Sequence, residues 1–319
     1  MDTLIIDGLS FALPLFIMAI GGIYSERSGI TNLALEGLQG FGAFFGALWA
    51  VTISYYFDIP IQKLYYLALL LSMVGGMLFS MIHALLCIKF KANQVISGVV
   101  INILSMALTT FLTTQINIVA FGELSDKFQI GTSVRFTIPG LSKLPVLGAA
   151  FKNLYPFEIV ILFIALIAAY VLNKTGFGLR LRACGDNPHS VDAAGVDVYK
   201  VQFKAVLISG ALSGLAGICY TYSILTHFSP SIYMGYGYLS IAALIFGNWK
   251  ILPTLGACLI FGFARSGGYV LGQILKMPST FSDLIMTLPY VLTLLLLIFF
   301  SKSNRPPRAL GEIYDKGKR

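Results

Sequence analysis

PFEIVILFIALIAAYVL, residues 156–172, is followed by NKTGFGLRLRACGDNPHSVDAAGVDVYKVQFK, residues 173–204, and then by AVLISGALSGLAGICYTYSILT, residues 205–226. A helix crosses the hydrocarbon of a bilayer with roughly 17–25 apolar residues. The two outer runs have that length and composition, so each reads as a membrane helix. The middle run carries charges every few positions and reads as a loop in water. Apolar runs recur on either side of this trio, near 4–24, 33–57, 64–88, 94–114, 238–249, 251–272 and 284–301. The fold expected is all-α, a polytopic helical membrane bundle with about nine hydrophobic segments. The segment 238–249 is too short for a plain crossing. It reads as a broken or re-entrant helix, which is stable only where protein buries it. The stretch from Ser25 to Gly37 has room for a similar half-helix.

Composition agrees. Of 319 residues, 57% are apolar and only 11% are charged, less than half the roughly 25% of soluble domains. The mean hydropathy is +0.82. A disordered chain, a nucleic-acid binder and an ordinary cytosolic enzyme are excluded. The net charge of +8 comes from Lys and Arg at segment ends, not from a basic run. Met1-Asp2 has no basic region before the first apolar stretch, which is therefore expected to remain as a membrane helix. Cys87, Cys184, Cys219 and Cys258 show no paired spacing, so neither a disulfide framework nor a metal site is expected.

With nine crossings, fifteen of the 22 Lys and Arg fall on one side and six on the other, with Arg265 inside a segment. The positive-inside bias puts the 173–204 loop and the C-terminus in the cytoplasm and the 115–155 loop outside. Residues 1–304 then form a transmembrane domain and 305–319 a basic cytoplasmic tail.

Several helices carry polar faces. Gln94, Gly98, Asn102, Ser105, Thr109 and Thr113 share about 100° of arc. Such a stripe faces other helices or a wet pathway, and both readings stay open for Gln94, Asn102, Ser105 and Thr109. Asn32 and Glu36 share a face at the start of the second segment and are further path candidates, although Glu36 is equally compatible with a cytoplasmic edge. Gly210 and Gly214, with Gly217, offer a surface for close helix packing, and Gly42 and Gly46 repeat the spacing. Arg265 lies about two-thirds of the way across its segment. The segment 284–301 lacks a polar face and should lie against lipid.

Within the polar loop, Asn187 is a good N-cap, Pro188 suits the first helical position, and Gly195 is the expected stop. A short capped helix with Asp192 before Ala193-Ala194-Gly195 points to a docking surface. His83, His189 and His227 do not cluster, and there is no HExxH, GxSxG or Walker A motif. No catalytic set and no bound cofactor are expected, so any ATP hydrolysis must occur on another polypeptide.

Four stretches together resemble one family: SERSGITNLALEGLQGFGAFFGA (Ser25 to Ala47), KANQVISGVVIN (Lys91 to Asn102), GLRLRACGDNPHSVDAAGVDVYKV (Gly178 to Val201) and RPPRALGEIYDK (Arg305 to Lys316). The chain is similar to permease subunits of ABC importers of the branched-chain amino acid/ribose class, and most similar to the shorter permease of nucleoside importers served by a basic-membrane-protein-type lipoprotein. The resemblance implies that Asn187 to Gly195 is a coupling helix, with Arg182, Asp186, Asn187, Pro188, Asp192, Ala193, Ala194 and Gly195 meeting an ATPase. Asp192-Ala193-Ala194-Gly195 resembles the family's EAA-Gly element, with Asp replacing Glu. It further implies a second, longer permease, an ATPase with two fused nucleotide-binding domains carrying ATP and Mg, and a substrate-binding lipoprotein. The implied cargo is a nucleoside, with a simple sugar such as ribose as the alternative. A passive channel or ion-coupled carrier would call for buried Asp/Glu/His relays and visible inverted repeats, which the sequence does not display.

Overall fold

The computed structural model describes residues 2–143, 147–276, 287–300 and 305–317. Eleven α-helices account for most of them: α1 Asp2–Arg27, α2 Leu35–Phe57, α3 Tyr65–Ala84, α4 Gln94–Ile116, α5 Pro156–Lys174, α6 Gly176–Asp186, α7 Pro188–Ala193, α8 Val198–Tyr220, α9 Tyr236–Phe246, α10 Ile251–Ile274 and α11 Leu288–Phe300. Seven spans among the described residues are long and apolar enough to cross a membrane. The chain is a multi-pass membrane protein. Helices α3, α4 and α8 each end in a wider turn, at Leu85–Lys89, Asn117–Phe121 and Thr221–Leu225.

Helices α1 and α8 form the centre, the two most enclosed of the long spans. Tyr24 of α1 donates to Ala168 O of α5 (2.6 Å), and Tyr220 of α8 donates to Phe11 O (3.3 Å). Helices α2 and α3 close on α8 through small residues. A Cβ on Gly42 would collide with Gly214, one on Gly210 with Gly76, and one on Gly46 would lie 2.6 Å from Ala68 O. Here glycine permits backbone-to-backbone contact that no other residue allows. Ser72, Gly76 and Ser80 of α3 complete this seam, a contribution the spacing in α2 and α8 did not announce.

The two ends of the bundle differ. At one end, Asp2 pairs with Lys152 of the 122–155 loop (2.8 Å). That loop is not merely draped outside. Phe128 and Phe228 exchange backbone hydrogen bonds (3.0 Å each), and the Phe128 ring is buried against Phe44 and Phe228. The other end holds α6, α7 and the C-terminal segment.

Three findings differ from the sequence reading. The stretch Ser25 to Gly37 contains no separate half-helix; α1 runs to Arg27, and residues 28–34 are a buried turn. The polar loop contains a second helix, α6, before the expected α7. The tail is folded onto the bundle: Ala309 N donates to Gly185 O (2.8 Å) and Gly311 N to Gly29 O (3.0 Å). Of the apolar segment 284–301, residues 284–286 and 301 lie outside the described residues, as do Lys302, Lys318 and Arg319. The described part is tied to the bundle, because Tyr290 of α11 donates to Met234 O (2.6 Å).

Candidate functional site: a helix junction and a coupling surface

Two stretches interrupt the α-helices inside the bundle. Residues 28–34 lead into α2, and residues 226–235, which hold a single 3-10 turn at Pro230–Ile232, lead into α9, whose 11 residues span only about 16 Å, half a membrane. Non-helical backbone at membrane depth must find partners inside the protein. The polar stripe of α4 supplies many of them. Gln94 Oε1 accepts from Thr31 N (2.6 Å). Asn102 Oδ1 accepts from Gly37 N (2.7 Å), and its Nδ2 donates to Leu33 O (2.8 Å) and Tyr238 Oη (2.9 Å). Ser105 Oγ donates to Gly37 O (2.7 Å), and Tyr233 Oη bonds both Ser105 (2.7 Å) and Thr109 (3.1 Å). Asn32 Nδ2 donates to Ser209 Oγ of α8 (2.9 Å), and Gln202 Nε2 to Ser28 O (3.1 Å).

Glu36 completes the junction. Its side chain is buried. Its Oε1 accepts from Gly235 N (2.8 Å) and its Oε2 from Gly237 N. The first N–H groups of a helix have no intrahelical partner and carry its positive dipole end. The carboxylate of α2 therefore caps α9, while Asn102 of α4 satisfies an N–H in the first turn of α2. Gln39 Nε2 reaches Ile232 O (3.4 Å), and its buried Oε1 makes no hydrogen bond.

The sequence reading assigned no role to three other buried ionisable groups. Glu26 accepts from Trp249 Nε1 (2.5 Å), His83 bonds Ser97 Oγ (2.9 Å) and Thr31 O (3.3 Å), and Glu158 is buried near the start of α5. Glu26, Glu36 and His83 are each held by a different set of hydrogen-bond partners. Arg265 lies over the Phe11 ring, 4.7 Å from its centroid, beside a cavity of about 320 Å³ that Asp7, Ser10 and Ser266 also line. Among the described residues no three His, Cys, Asp or Glu gather as metal ligands would.

The candidate coupling surface is built by caps. Thr175 Oγ1 accepts from Gly178 N (3.2 Å) to start α6. Asn187 Oδ1 accepts from Ser190 N (3.1 Å), and Pro188 occupies the first turn of α7. Gly195 takes φ +79°, the left-handed stop, and Val196 N closes onto Val191 O (3.2 Å). Asp197 Oδ1 then accepts from Lys200 N (3.1 Å) to start α8. Leu181, Cys184, Gly185, Pro188 and Val191 are buried beneath, whereas Asp186, Asn187, Ala193, Ala194 and Gly195 are exposed. Arg182 is half-buried and turns back, its Nε donating to Gly178 O (3.3 Å). Asp192 meets Lys316 of the tail (3.4 Å), and Tyr314 lies against the rings of His189 and Tyr199. The tail's role in this surface had no marker in the loop sequence. Beneath the loop, Gly185 touches the Arg27 carbonyl, so α6 abuts the end of α1 and the buried turn 28–34.

A bundle of crossing helices with an enclosed half-helix and a capped two-helix loop at one end is an architecture suited to a membrane permease. Residues 4–300 match the family described as branched-chain amino acid transport system / permease component, and the chain belongs to that family. It is 38% identical over 313 residues to the guanosine ABC transporter permease protein NupQ of Bacillus subtilis (strain 168), covering 98% of this chain and 96% of that one. It is 35% identical to the nucleoside ABC transporter permease protein NupC of Lactococcus lactis subsp. cremoris (strain MG1363), covering 100% and 98%. The same B. subtilis strain has a more distant match, the guanosine ABC transporter permease protein NupP, 27% identical over 95% of this chain and 82% of that one. No solved structure matches.

Proposed function

We propose that this chain is the shorter permease subunit of an ATP-driven importer that moves nucleosides into the cell. The nucleoside half of this reading rests on full-length similarity to NupQ and NupC. The pairing of NupQ with NupP in one organism supports a second, longer permease as partner. A separate ATPase carrying ATP and Mg, with two fused nucleotide-binding domains, and a substrate-binding lipoprotein complete the machine. The 173–204 loop and the tail face the cytoplasm, and the 115–155 loop meets the lipoprotein.

The observation that carries the coupling half is the exposed, capped α7 on a rigid base. Asp186, Asn187 and Ala193 to Gly195 present the outer surface to the ATPase. Displacement of α7 passes through Gly185 to the end of α1 and the turn 28–34, and from there to Glu36, Asn102 and α9. Closed, the junction spends the polar groups of α4 on its own backbone. Opened, the Asn102, Ser105 and Thr109 groups become walls for a neutral solute, which exchanges hydrogen bonds with them without being trapped. ATP binding favours one of these states through its differential affinity.

The test is uptake of radiolabelled guanosine, uridine and ribose by vesicles containing the reconstituted complex with its lipoprotein. ATP-dependent nucleoside uptake is expected. Uptake of ribose with none of nucleoside transfers the reading to the sugar, and uptake without ATP or ATPase sinks the importer.

A further inference from the structure

A groove of about 760 Å³ runs between α1, α5 and the start of α10. Leu162, Leu166, Leu252 and Leu255 form its walls, and Arg27, Arg182 and Lys250 lie at its loop end. Leu162, Leu166 and Leu252 are 46%, 70% and 79% exposed on the outside of the bundle. From Phe16 to Arg27 along α1 is about 16 Å, and from Leu162 to Leu172 along α5 about 15 Å. That depth equals one leaflet, half of the roughly 30 Å hydrocarbon core. Apolar walls at membrane depth below a cluster of cations at the water boundary match one amphiphile: an acyl chain under an anionic headgroup.

The cations are free to take it. Among the described residues, none of the three enters an ion pair. Arg27 Nε donates to Trp249 O (3.2 Å) and Arg182 Nε to Gly178 O (3.3 Å). The backbone thus fixes each guanidinium, while the terminal nitrogens stay available. Arg27 and Arg182 are half-buried, and gathering cations beside apolar walls is unfavourable unless an anion joins them. Asp186 lies within electrostatic range of Arg27 but forms no ion pair with it. A phosphodiester supplies the anion and its chains fill the walls. A neighbouring transmembrane helix would cover the leucines but would need a carboxylate at the same height.

We propose that this groove is a binding site for an anionic phospholipid, which clamps α5 and α10 to α1 beside the Arg27 end that supports α6. Trp249 lines the groove, and the chain has one other tryptophan, Trp49. The full chain carrying Trp49→Phe is reconstituted in phosphatidylcholine vesicles. Brominated phosphatidylglycerol and brominated phosphatidylcholine are then compared at equal low mole fraction as quenchers of Trp249. Phosphatidylglycerol should quench more strongly, and Lys250→Gln should cut that preference about fivefold, the worth of one cation near an anionic surface. Lys250 is exposed, so this change leaves the fold intact. Ala169→Phe, which fills the groove, should reduce quenching by both lipids. In the assembled complex, extraction and mass spectrometry should find phosphatidylglycerol retained by the unmodified protein and depleted in the Lys250→Gln, Ala169→Phe variant. Equal quenching by the two lipids overturns the proposal. So does retention that the paired substitutions leave unchanged, which is the result expected if the second permease fills the groove.

Discussion

Asn102→Leu removes three hydrogen bonds at once, to Gly37 N, Leu33 O and Tyr238 Oη. Each buried group left without a partner costs about 1–3 kcal/mol. The purified permease should therefore unfold at lower temperature and support little uptake. Ile103→Leu, on the exposed side of the same helix, should change neither. Because Asn102 has a structural task, its loss alone does not identify a pathway. Thr109→Val is the sharper probe: it deletes one hydroxyl that contacts Tyr233 (3.1 Å), at a cost of about 0.5–1.5 kcal/mol. Abundance should be retained and uptake reduced. Normal uptake by Thr109→Val would leave the α4 stripe as scaffolding only. The stripe was legible at this scale because period 3.6 places its members on one face. The task of Glu36 was not legible. Its partners are backbone N–H groups 199 and 201 residues away, and no local pattern marks an acceptor for a distant helix end.

At the scale of elements, α7 was readable before any coordinates, since a cap acts within three or four residues and leaves its trace there. Asn187→Ala should cost about 0.5–2 kcal/mol, and Gly195→Val on the order of 1 kcal/mol or more, because a β-branched residue resists positive φ. Both changes should lower ATPase recovery in pull-downs without altering lipoprotein affinity for substrate. Asp192→Lys needs a control, because Asp192 already meets Lys316. Combining it with Lys316→Asp restores an internal pair. If ATPase binding returns with that pair, Asp192 serves the tail; if it stays lost, Asp192 faces the ATPase. The N-terminus of α8 supplies a pH test. The Lys200 backbone N–H and ammonium hold the Asp197 carboxyl below the ordinary carboxylate value. A depressed folded pKa stabilises at all pH values above the unfolded one, and that share is lost as pH falls through the folded one. Amide protection at the start of α8 should weaken below about pH 4, and Asp197→Asn should remove most of that dependence. Dependence unchanged in the variant assigns the effect to another group. Helix α6 carries a local trace of the same kind, the Thr175 cap on Gly178 N (3.2 Å), which the sequence reading passed over. The docked tail had none, since its backbone contacts are the Gly185 and Gly29 carbonyls meeting the distant Ala309 and Gly311 amides.

Across the whole molecule, the arrangement of ends follows from charge and from contacts that join distant parts of the chain. Asp2 pairs with Lys152 at one end, whereas Ala309, Gly311 and Lys316 reach Gly185, Gly29 and Asp192 at the other. The N-terminus and the tail thus lie on opposite sides of the bundle. Most apolar runs became helices because hydrophobic length alone selects a crossing. The segment near 238–249 became a half-helix, Tyr236–Phe246, because Gly235 (φ +84°) precedes its first turn and Asn248 and Trp249, both left-handed (φ +53° and +54°), follow its end at Gly247. The positive-inside bias is the argument for the proposed orientation, with the α6–α7 end in the cytoplasm, and that orientation can be checked directly. A cysteine at Lys316, in a background with Cys87, Cys184, Cys219 and Cys258 replaced by serine or alanine, should resist an impermeant maleimide in intact cells. It should react once the cells are permeabilised. A second cysteine at Lys143, in the opposite loop, should show the reverse, reacting in intact cells. Rapid labelling at 316 with protection at 143 would invert the molecule. The ATPase would then have to bind the 122–155 loop, where Phe128 is buried in the bundle and no capped helix comparable to α7 occurs among the described residues.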